Sequence, residues 1–239
     1  MRITRRKGTP RVLVIDVGGT HVKVLATGQE ASREIASGPK MSAGRMAKQV
    51  KRLVKDWKYD VVAMGYPGPV VHGRPLREPY NLGRGWVGFN FGRAFGRPIK
   101  VINDAAMQAL GSYQGGRMLF LGLGTGLGSA MIADGILEPM ELAHLPFKKK
   151  TYEDYLGLRG LQRRGKKKWR RQVADAVEQL REAVEADYVV LGGGNAKKLK
   201  QLPPHTRLGD NRNAFLGGFR LWDADHYGPG QPRRGSATS

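Results

Sequence analysis

Two isolated carboxylates at the ends of apolar runs are the residues best suited to chemistry in this chain. Asp16 ends the run Val12–Ile15, and Asp104 follows Lys100–Asn103 where a helix is predicted to begin. A carboxylate at a strand end can hold a hydrated Mg²⁺, which favours carboxylates and waters as ligands. We therefore predict that Asp16 holds Mg²⁺ through water. Asp104 could act as a general base that takes a proton from a hydroxyl, or as a helix N-cap.

Glycine clusters fall at the ends of four predicted strands. These clusters are Gly18-Gly19, Gly65–Gly68, Gly122–Gly128 and Gly192–Gly194. A hairpin tip of Gly18 and Gly19 followed by the Thr20 hydroxyl can present backbone N–H groups to a phosphate. A strand follows this tip from His21, whereas a dinucleotide fold or a P-loop requires a helix there. The alternative is a set of ordinary tight turns, but their repeated occurrence at strand ends favours phosphate binding.

A further group of polar residues could bind the hydroxyls of a polyol. Glu141 and His144 follow a second predicted hairpin, and Asn81 and Asn103 offer amides. The alternative is that Glu141 and His144 are an ordinary pair of exposed residues, because these residue types usually lie at the surface.

The strong positive charge implies a polyanionic partner or an unusual internal environment. The chain carries 41 Lys and Arg against 20 Asp and Glu, a formal net charge of +21. Much of the density lies in a stretch that we call the basic segment, namely Lys166, Lys167, Lys168, Arg170 and Arg171. The density of this segment favours the binding of an anion. Nucleic-acid contact and a generally basic proteome are the alternatives.

The composition also excludes several classes of site. The chain contains no cysteine, which excludes disulfides, thiolate zinc sites and cysteine nucleophiles. We accordingly expect no zinc. No apolar run approaches the roughly 20 residues of a membrane span, so we expect a cytoplasmic protein without a membrane partner.

The elements that must position these residues repeat along the chain as strand, glycine hairpin, strands, helix, strand and glycines. This pattern predicts two similar α/β domains that flank a cleft, with the division at 1–105 and 106–239. Apolar residues at helical spacing predict a helix over 43–57 and a long one through Trp169–Val184. Residues 70–97 are predicted to form a long loop, and the tail 228–239 is predicted to be disordered.

The ordered motifs resemble those of the ROK-family sugar kinases. They are Asp16-Val17-Gly18-Gly19-Thr20-His21-Val22-Lys23, Gly65-Tyr66-Pro67-Gly68, Asn103-Asp104-Ala105, Gly122–Gly128, Glu141-Leu142-Ala143-His144 and Gly192-Gly193-Gly194. The resemblance covers roughly residues 11–222. Lys23 and the lack of cysteine look most like the polyphosphate/ATP glucokinase branch.

The resemblance implies the actin-like ATPase (ribonuclease H-like) fold and assigns expected roles. Asp104 would be the catalytic base. The sugar would contact Gly65, Pro67, Asn81, Asn103, Asp104, Glu141 and His144. Phosphate or nucleotide would contact Asp16, Gly18, Gly19, Thr20, Lys23, Gly124, Thr125, Gly126, Gly192, Gly193 and Gly194. In the sugar motif, Ala143 replaces the usual glycine, which could shift His144 and alter the choice of sugar.

We therefore predict a kinase that transfers a phosphoryl group from polyphosphate or ATP to the 6-hydroxyl of glucose, with Mg²⁺, as a homodimer. We further predict that the basic segment is a track for the inorganic polyphosphate donor. One alternative is a non-catalytic protein that binds a polyanion or nucleic acid on a ROK scaffold. Another is an ATP-only kinase for a different hexose.

Overall fold

The computed structural model describes residues 9–210 and 212–223. These residues form two five-stranded sheets with helices packed on them. The first part of the chain builds one sheet with its helices. Its elements are β1 (Val12–Val17), β2 (His21–Ala26), β3 (Arg33–Ala36), α1 (Ala43–Leu53), β4 (Val61–Tyr66), β5 (Val70–Val71), β6 (Arg74–Pro75), α2 (Phe91–Phe95), β7 (Ile99–Asn103) and α3 (Asp104–Ser112).

The second part of the chain builds the other sheet. Its elements are β8 (Arg117–Leu123), β9 (Leu127–Ala133), β10 (Ile136–Met140), a 3₁₀ turn (Leu142–His144), β11 (Pro146–Phe147), β12 (Lys150–Thr151), α4 (Tyr152–Leu156), α5 (Leu158–Ala183), β13 (Tyr188–Gly192), a second 3₁₀ turn (Ala196–Lys198), β14 (Thr206–Leu208) and α6 (Asn213–Arg220).

The two sheets share one plan. Their strand orders are β3-β2-β1-β4-β7 and β10-β9-β8-β13-β14. In each sheet, three strands that are consecutive in the chain pair antiparallel to one another. Two later strands then extend the sheet parallel to β1 in the first sheet and to β8 in the second. The glycine turns after β1 and β8 therefore occupy equivalent places in the two halves.

Strand β1 separates two apolar cores. Leu13 and Ile15 belong to the core under α1, whereas Val12 and Val14 belong to a central core with α3 and α6. Because alternate residues of a strand face opposite sides of the sheet, Asp16 lies on the side of Val14 and α3. The central core also contains Phe120 and Ile132 from the second sheet, so α3 is packed between the two sheets.

Helix α6 crosses α3 at very short range. A Cβ at Gly217 would collide with the carbonyl oxygen of Met107, and one at Gly218 would collide with the side chain of Val14. The crossing thus depends on glycine, and it brings α6 onto β1 of the first sheet. The division into 1–105 and 106–239 stays a prediction.

The local structure differs from the sequence-based expectations in several places. Helix α1 ends at Leu53, before Trp57, and β4 continues through Tyr66, so Gly65 lies within a strand. The predicted loop 70–97 contains the hairpin β5–β6 and α2. The tail 228–239 lies outside the described residues. Within 9–210 and 212–223, no helix is long and apolar enough to cross a membrane.

Candidate active site

Asp104 is the first residue of α3, and its neighbour Asn103 caps the helix. The Asn103 Oδ1 accepts from the backbone N–H groups of Ala105 at 2.9 Å and Ala106 at 3.2 Å. Its Nδ2 donates to the carbonyl of Gly68 at 3.0 Å. Asp104 accepts one bond through Oδ1, from the N–H of Ala105 at 2.8 Å. The cap is therefore supplied by Asn103, which leaves the second carboxylate oxygen of Asp104 available for chemistry.

Two glycines let the start of α3 approach both sheets. A Cβ at Gly65 of β4 would lie 3.5 Å from the Cα of Asp104 and would meet the side chain of Met107. A Cβ at Gly128 of β9 would lie 2.8 Å from the Cβ of Ala105, closer than real side chains approach. The backbone of each sheet thus touches the first turn of α3, which holds Asp104 at the junction between the halves.

The electrostatics of the site centre on two carboxylates. Burial, together with the charges of Asp16 and Glu141, raises the pKa of Asp104 to about 7 against the opposing backbone hydrogen bond from Ala105. Burial also raises the pKa of Asp16 to about 6, while the charge of Lys23 opposes this. Lys23 faces Asp16 directly across the β1–β2 ladder. A carboxyl with a pKa near neutrality is suited to accept a proton at physiological pH.

The first glycine turn joins β1 to β2. The N–H of Gly18 donates to the carbonyl of His21 at 3.0 Å, and the Ser37 hydroxyl donates to the carbonyl of Gly18 at 2.6 Å. Asn81 lies against this turn, since its Cβ is 3.3 Å from the position of a Cβ at Gly19. Thr20 is exposed, so its hydroxyl is open to a ligand. The contact from Ser37 has no local signature in the sequence.

The second glycine turn joins β8 to β9 and is fixed from several directions. The N–H of Gly124 donates to the carbonyl of Gly126 at 3.1 Å. The Glu153 carboxylate fills the space beside Gly126 and accepts from the N–H of Leu127 at 3.3 Å. The Asn195 Nδ2 donates to the carbonyl of Gly124 at 2.8 Å. Glu153 and Asn195 thus position the turn, and neither was expected from the sequence.

The third glycine cluster lies directly against the second turn. Gly193 has a φ of 79°, and a Cβ there would lie 2.5 Å from the carbonyl oxygen of Leu123. The N–H of Asn195 donates to the same carbonyl at 2.9 Å. Gly192, Gly193 and Gly194 are therefore brought together with Gly124, Thr125 and Gly126, as the predicted nucleotide site requires.

The predicted sugar residues are brought together only in part. Glu141 acts on the charge of Asp104, and Gly65 and Asn103 adjoin the start of α3. Glu141 and His144 are exposed at the 3₁₀ turn after β10, where Ala143 is buried. Asn81 contacts the first glycine turn instead, and Pro67 follows β4 beside Gly68, whose carbonyl accepts from Asn103. The sugar-binding roles remain predictions.

The comparisons with known proteins point in one direction. No protein-family model matches the sequence. The polyphosphate glucokinase of Mycobacterium tuberculosis is 28% identical over 212 residues, which cover 80% of this chain and 80% of that protein. The inorganic polyphosphate/ATP-glucomannokinase of Arthrobacter sp. strain KM superposes with a TM-score of 0.76 at 22% identity, over 88% of this chain and 97% of that one. The ROK family glucokinase of Streptomyces griseus, solved with glucose and AMPPNP, gives 0.69 at 15% identity, over 89% and 99%.

The chain resembles the ROK sugar kinases in sequence and has their fold. The predicted actin-like ATPase fold is thereby confirmed. Its two halves have equivalent sheets with equivalent glycine turns, and both sheets of this ROK-like chain approach the first turn of α3, where Asp104 lies.

The basic segment of this ROK-like chain is connected to the second glycine turn. Helix α5 begins there, because the N–H of Leu158 donates to the carbonyls of Gly124 and Thr125 at 3.1 Å. Gly165, with a φ of 70°, interrupts α5 immediately before the basic segment. The Arg170 Nε donates to the carbonyl of Lys198 at 2.8 Å, and the Lys198 Nζ donates to the Oδ1 of Asn195 at 2.5 Å. A chain of contacts therefore links Arg170 to Gly124 in the second glycine turn.

The members of the basic segment differ in exposure. Four side chains of the basic segment are exposed, namely Lys166, Lys167, Lys168 and Arg171. Arg170 is partly buried and donates to the carbonyl of Lys198 in the second 3₁₀ turn. The four exposed side chains are free to meet a ligand, and Arg170 has a structural contact as well.

The donor set near Asp104 fits a weakly coordinated Mg²⁺. Among the described residues, no cluster of three or more His, Cys, Asp or Glu is positioned to enclose a metal. Mg²⁺ usually keeps several waters and takes one or two carboxylates together with substrate phosphates. Asp16 supplies one carboxylate at the end of β1, beside the first glycine turn, and is the residue that would hold the ion through water.

Proposed function

We propose that this chain is a sugar kinase that transfers a phosphoryl group from ATP or inorganic polyphosphate to the 6-hydroxyl of glucose. The observation that carries the proposal is the position of Asp104 in the first turn of α3, which Gly65 of the first sheet and Gly128 of the second sheet both approach, with its pKa raised to about 7. The glucose-specific part rests on the named relatives, which include polyphosphate glucokinases.

In this proposal Asp104 removes the proton from the sugar hydroxyl, and the hydroxyl oxygen attacks the terminal phosphorus of the donor. The new O–P bond forms while the bridging P–O bond breaks, and ADP or a shortened polyphosphate leaves. The two glycine turns bind the phosphates through backbone N–H groups other than those of Gly18 and Gly124, which donate within their own turns. Mg²⁺, when bound, supplies charge neutralisation between the phosphate oxygens.

The test is a panel of hexoses against ATP and polyphosphate in the presence of Mg²⁺, followed by product analysis. We expect sugar-dependent turnover with glucose, and a loss of about 10²–10⁴-fold in kcat for Asp104→Asn. Salt-dependent retention on nucleic acid without sugar-dependent turnover would instead support the non-catalytic alternative. Turnover with a different hexose, and with ATP as the only donor, would support the alternative of an ATP-only kinase for another hexose.

The basic segment forms the second part of the proposal, as a track for a long polyphosphate donor. Its support is the chain of contacts from Arg170 through Lys198 and Asn195 to Gly124. A donor of many phosphates gains affinity from a row of cations by releasing counterions. ATP carries fewer charges and needs only the glycine turns and Mg²⁺.

The donor test replaces the four exposed members of the basic segment by Gln and leaves Arg170 in place, because Arg170 has a structural bond. We expect the KM for polyphosphate to rise at least tenfold and to lose salt dependence, with little change for ATP. The matched control removes four exposed cations elsewhere, by Lys40→Gln, Arg45→Gln, Lys58→Gln and Arg93→Gln. Equal effects on both donors, or no polyphosphate activity in the wild type, would reject the track.

We also propose that the enzyme is a cytoplasmic homodimer with domains at 1–105 and 106–239. Light scattering on the purified protein tests the dimer, and a monomer at micromolar concentration would reject it.

A further inference from the structure

A groove between α1 and α2 lies on the side of the first sheet that faces away from Asp104. Its helix α1 packs on Leu13 and Ile15, whereas Asp16 and Asp104 lie on the side of Val14 and α3. The sheet therefore separates the groove from the proposed active site. Nothing in the proposed reaction uses it.

The groove combines a cationic rim with an apolar floor. Lys48, Lys51, Arg52 and Lys55 form the rim of this open groove, whose volume is about 520 Å³. All four are exposed, and no carboxylate within 9–210 and 212–223 forms an ion pair with them. The lining contains no acidic residue. Four cations without ion-pair partners on one concave surface attract an anion.

The floor is formed by the small residues Ala47 and Ala94 and by one aromatic ring, that of Phe89. Phe89 is partly exposed and is held by an edge contact with Phe91, with ring centroids 4.9 Å apart. The Lys51 Nζ donates to the carbonyl of Ala94 at 3.2 Å, which fixes the two helices relative to each other. The groove thus has a preformed aromatic surface beside its cations.

We propose that this groove binds a nucleoside di- or triphosphate at a site separate from the catalytic cleft. The base or ribose lies on Phe89 and Ala94, and the phosphates meet Lys48, Arg52 and Lys55. The volume falls in the range of small-molecule sites, and aromatic rings are good platforms for bases. An inorganic polyanion has no apolar part, so it would leave the floor unused.

The absence of cysteine from the chain provides a test specific to this groove. Ala94→Cys introduces a single thiol into the lining with little change in volume. Its rate of modification by a maleimide is measured with increasing ATP, ADP, adenosine or tripolyphosphate. We expect ATP and ADP to slow the reaction, with adenosine and tripolyphosphate at least tenfold weaker. A second thiol, from Ser32→Cys at an exposed position just before β3, controls for effects of nucleotide on the reagent.

Two charge variants separate local binding from effects transmitted from the cleft. In the Ala94→Cys protein, Lys48→Gln with Lys55→Gln is expected to weaken protection by ATP about tenfold. Lys40→Gln with Lys58→Gln removes the same charge outside the groove and is expected to leave protection unchanged.

Several outcomes would overturn the proposal. They are no protection by ATP, equal protection by tripolyphosphate, and protection that is insensitive to the groove charges. Protection by a single-stranded oligonucleotide at lower concentration than ATP would also overturn it, in favour of a nucleic-acid surface.

Discussion

Asp104→Asn is predicted to make the protein more stable at pH 8 while it removes the proposed base. The unfolded chain ionises Asp104 near its ordinary pKa of 3.8, whereas the folded protein retains the proton until about pH 7. Between these values the folded state binds more protons, so this residue lowers the free energy of unfolding as the pH rises. Above pH 7 the full penalty is present.

The magnitude follows from the two pKa values. A difference of this size means that the ionised Asp104 destabilises the folded protein by at most about 4 kcal/mol. Because Asp104 is only partly buried, solvent reduces this value, and we expect a gain of about 2 kcal/mol at pH 8. Asn retains an oxygen that can accept the N–H of Ala105, now 2.8 Å from Oδ1, so the substitution removes the charge and keeps the hydrogen bond.

The assay is urea unfolding of the ligand-free protein at pH 4 and pH 8. The gain from Asp104→Asn is expected at pH 8 and is expected to vanish near pH 4, where the wild-type residue is protonated in the folded state. Asp175→Asn is the matched control, because Asp175 forms an exposed pair with Lys148 at 2.6 Å, and it should give no gain. If the free energy of unfolding depended on pH in the same way for Asp104→Asn and the wild type, the argument that burial raises the pKa of Asp104 would be refuted.

Three further predictions concern the same site. The kcat/KM for sugar should rise with pH through an inflection near 7, the pKa of Asp104, since a base must be unprotonated; a profile that is flat from pH 5 to 9 would contradict this. Glu141→Gln and His144→Ala should weaken sugar binding more than donor binding, as measured by calorimetry with each ligand, and unchanged sugar affinity in both would remove them from the pocket. Gly128→Val should destabilise the protein by about 1–3 kcal/mol and lower kcat, because its side chain would displace the start of α3; Gly124→Ala enters open space and is the control in thermal unfolding.

The glycine turns and the two carboxylates could be predicted because each follows a short apolar run that is visible in the sequence. The predicted end of α1 was wrong because Trp57 continues the helical spacing of apolar residues. In the structure Trp57 is buried after a turn and lies under the Arg33 guanidinium at 4.4 Å. Arg33 on β3 also donates to the carbonyl of Leu53, the last residue of α1, at 2.6 Å, and the helical spacing of apolar residues carries no information about such contacts.

The supports of the second glycine turn could not be predicted for a related reason. Asn195 is 71 positions from Gly124, and Glu153 is 26 positions from Leu127. Neither residue belongs to a local pattern. The assignment of the cap at α3 was also ambiguous, because Asn103 and Asp104 are both good N-caps and the backbone geometry selects Asn103.

The packing of α6 on the first sheet has a consequence for how the chain folds during synthesis. Gly218 contacts Val14, the Trp222 Nε1 donates to the carbonyl of Val62 at 3.0 Å, and the Lys100 Nζ donates to the carbonyl of Leu221 at 2.9 Å. The part of the first sheet that α6 covers, around Val14, therefore stays exposed until residue 222 has left the ribosome. Contacts of such long sequence separation slow folding, and an apolar sheet face that waits for them is open to aggregation. A nascent chain that ends near residue 105 should accordingly bind chaperones at Val12 and Val14.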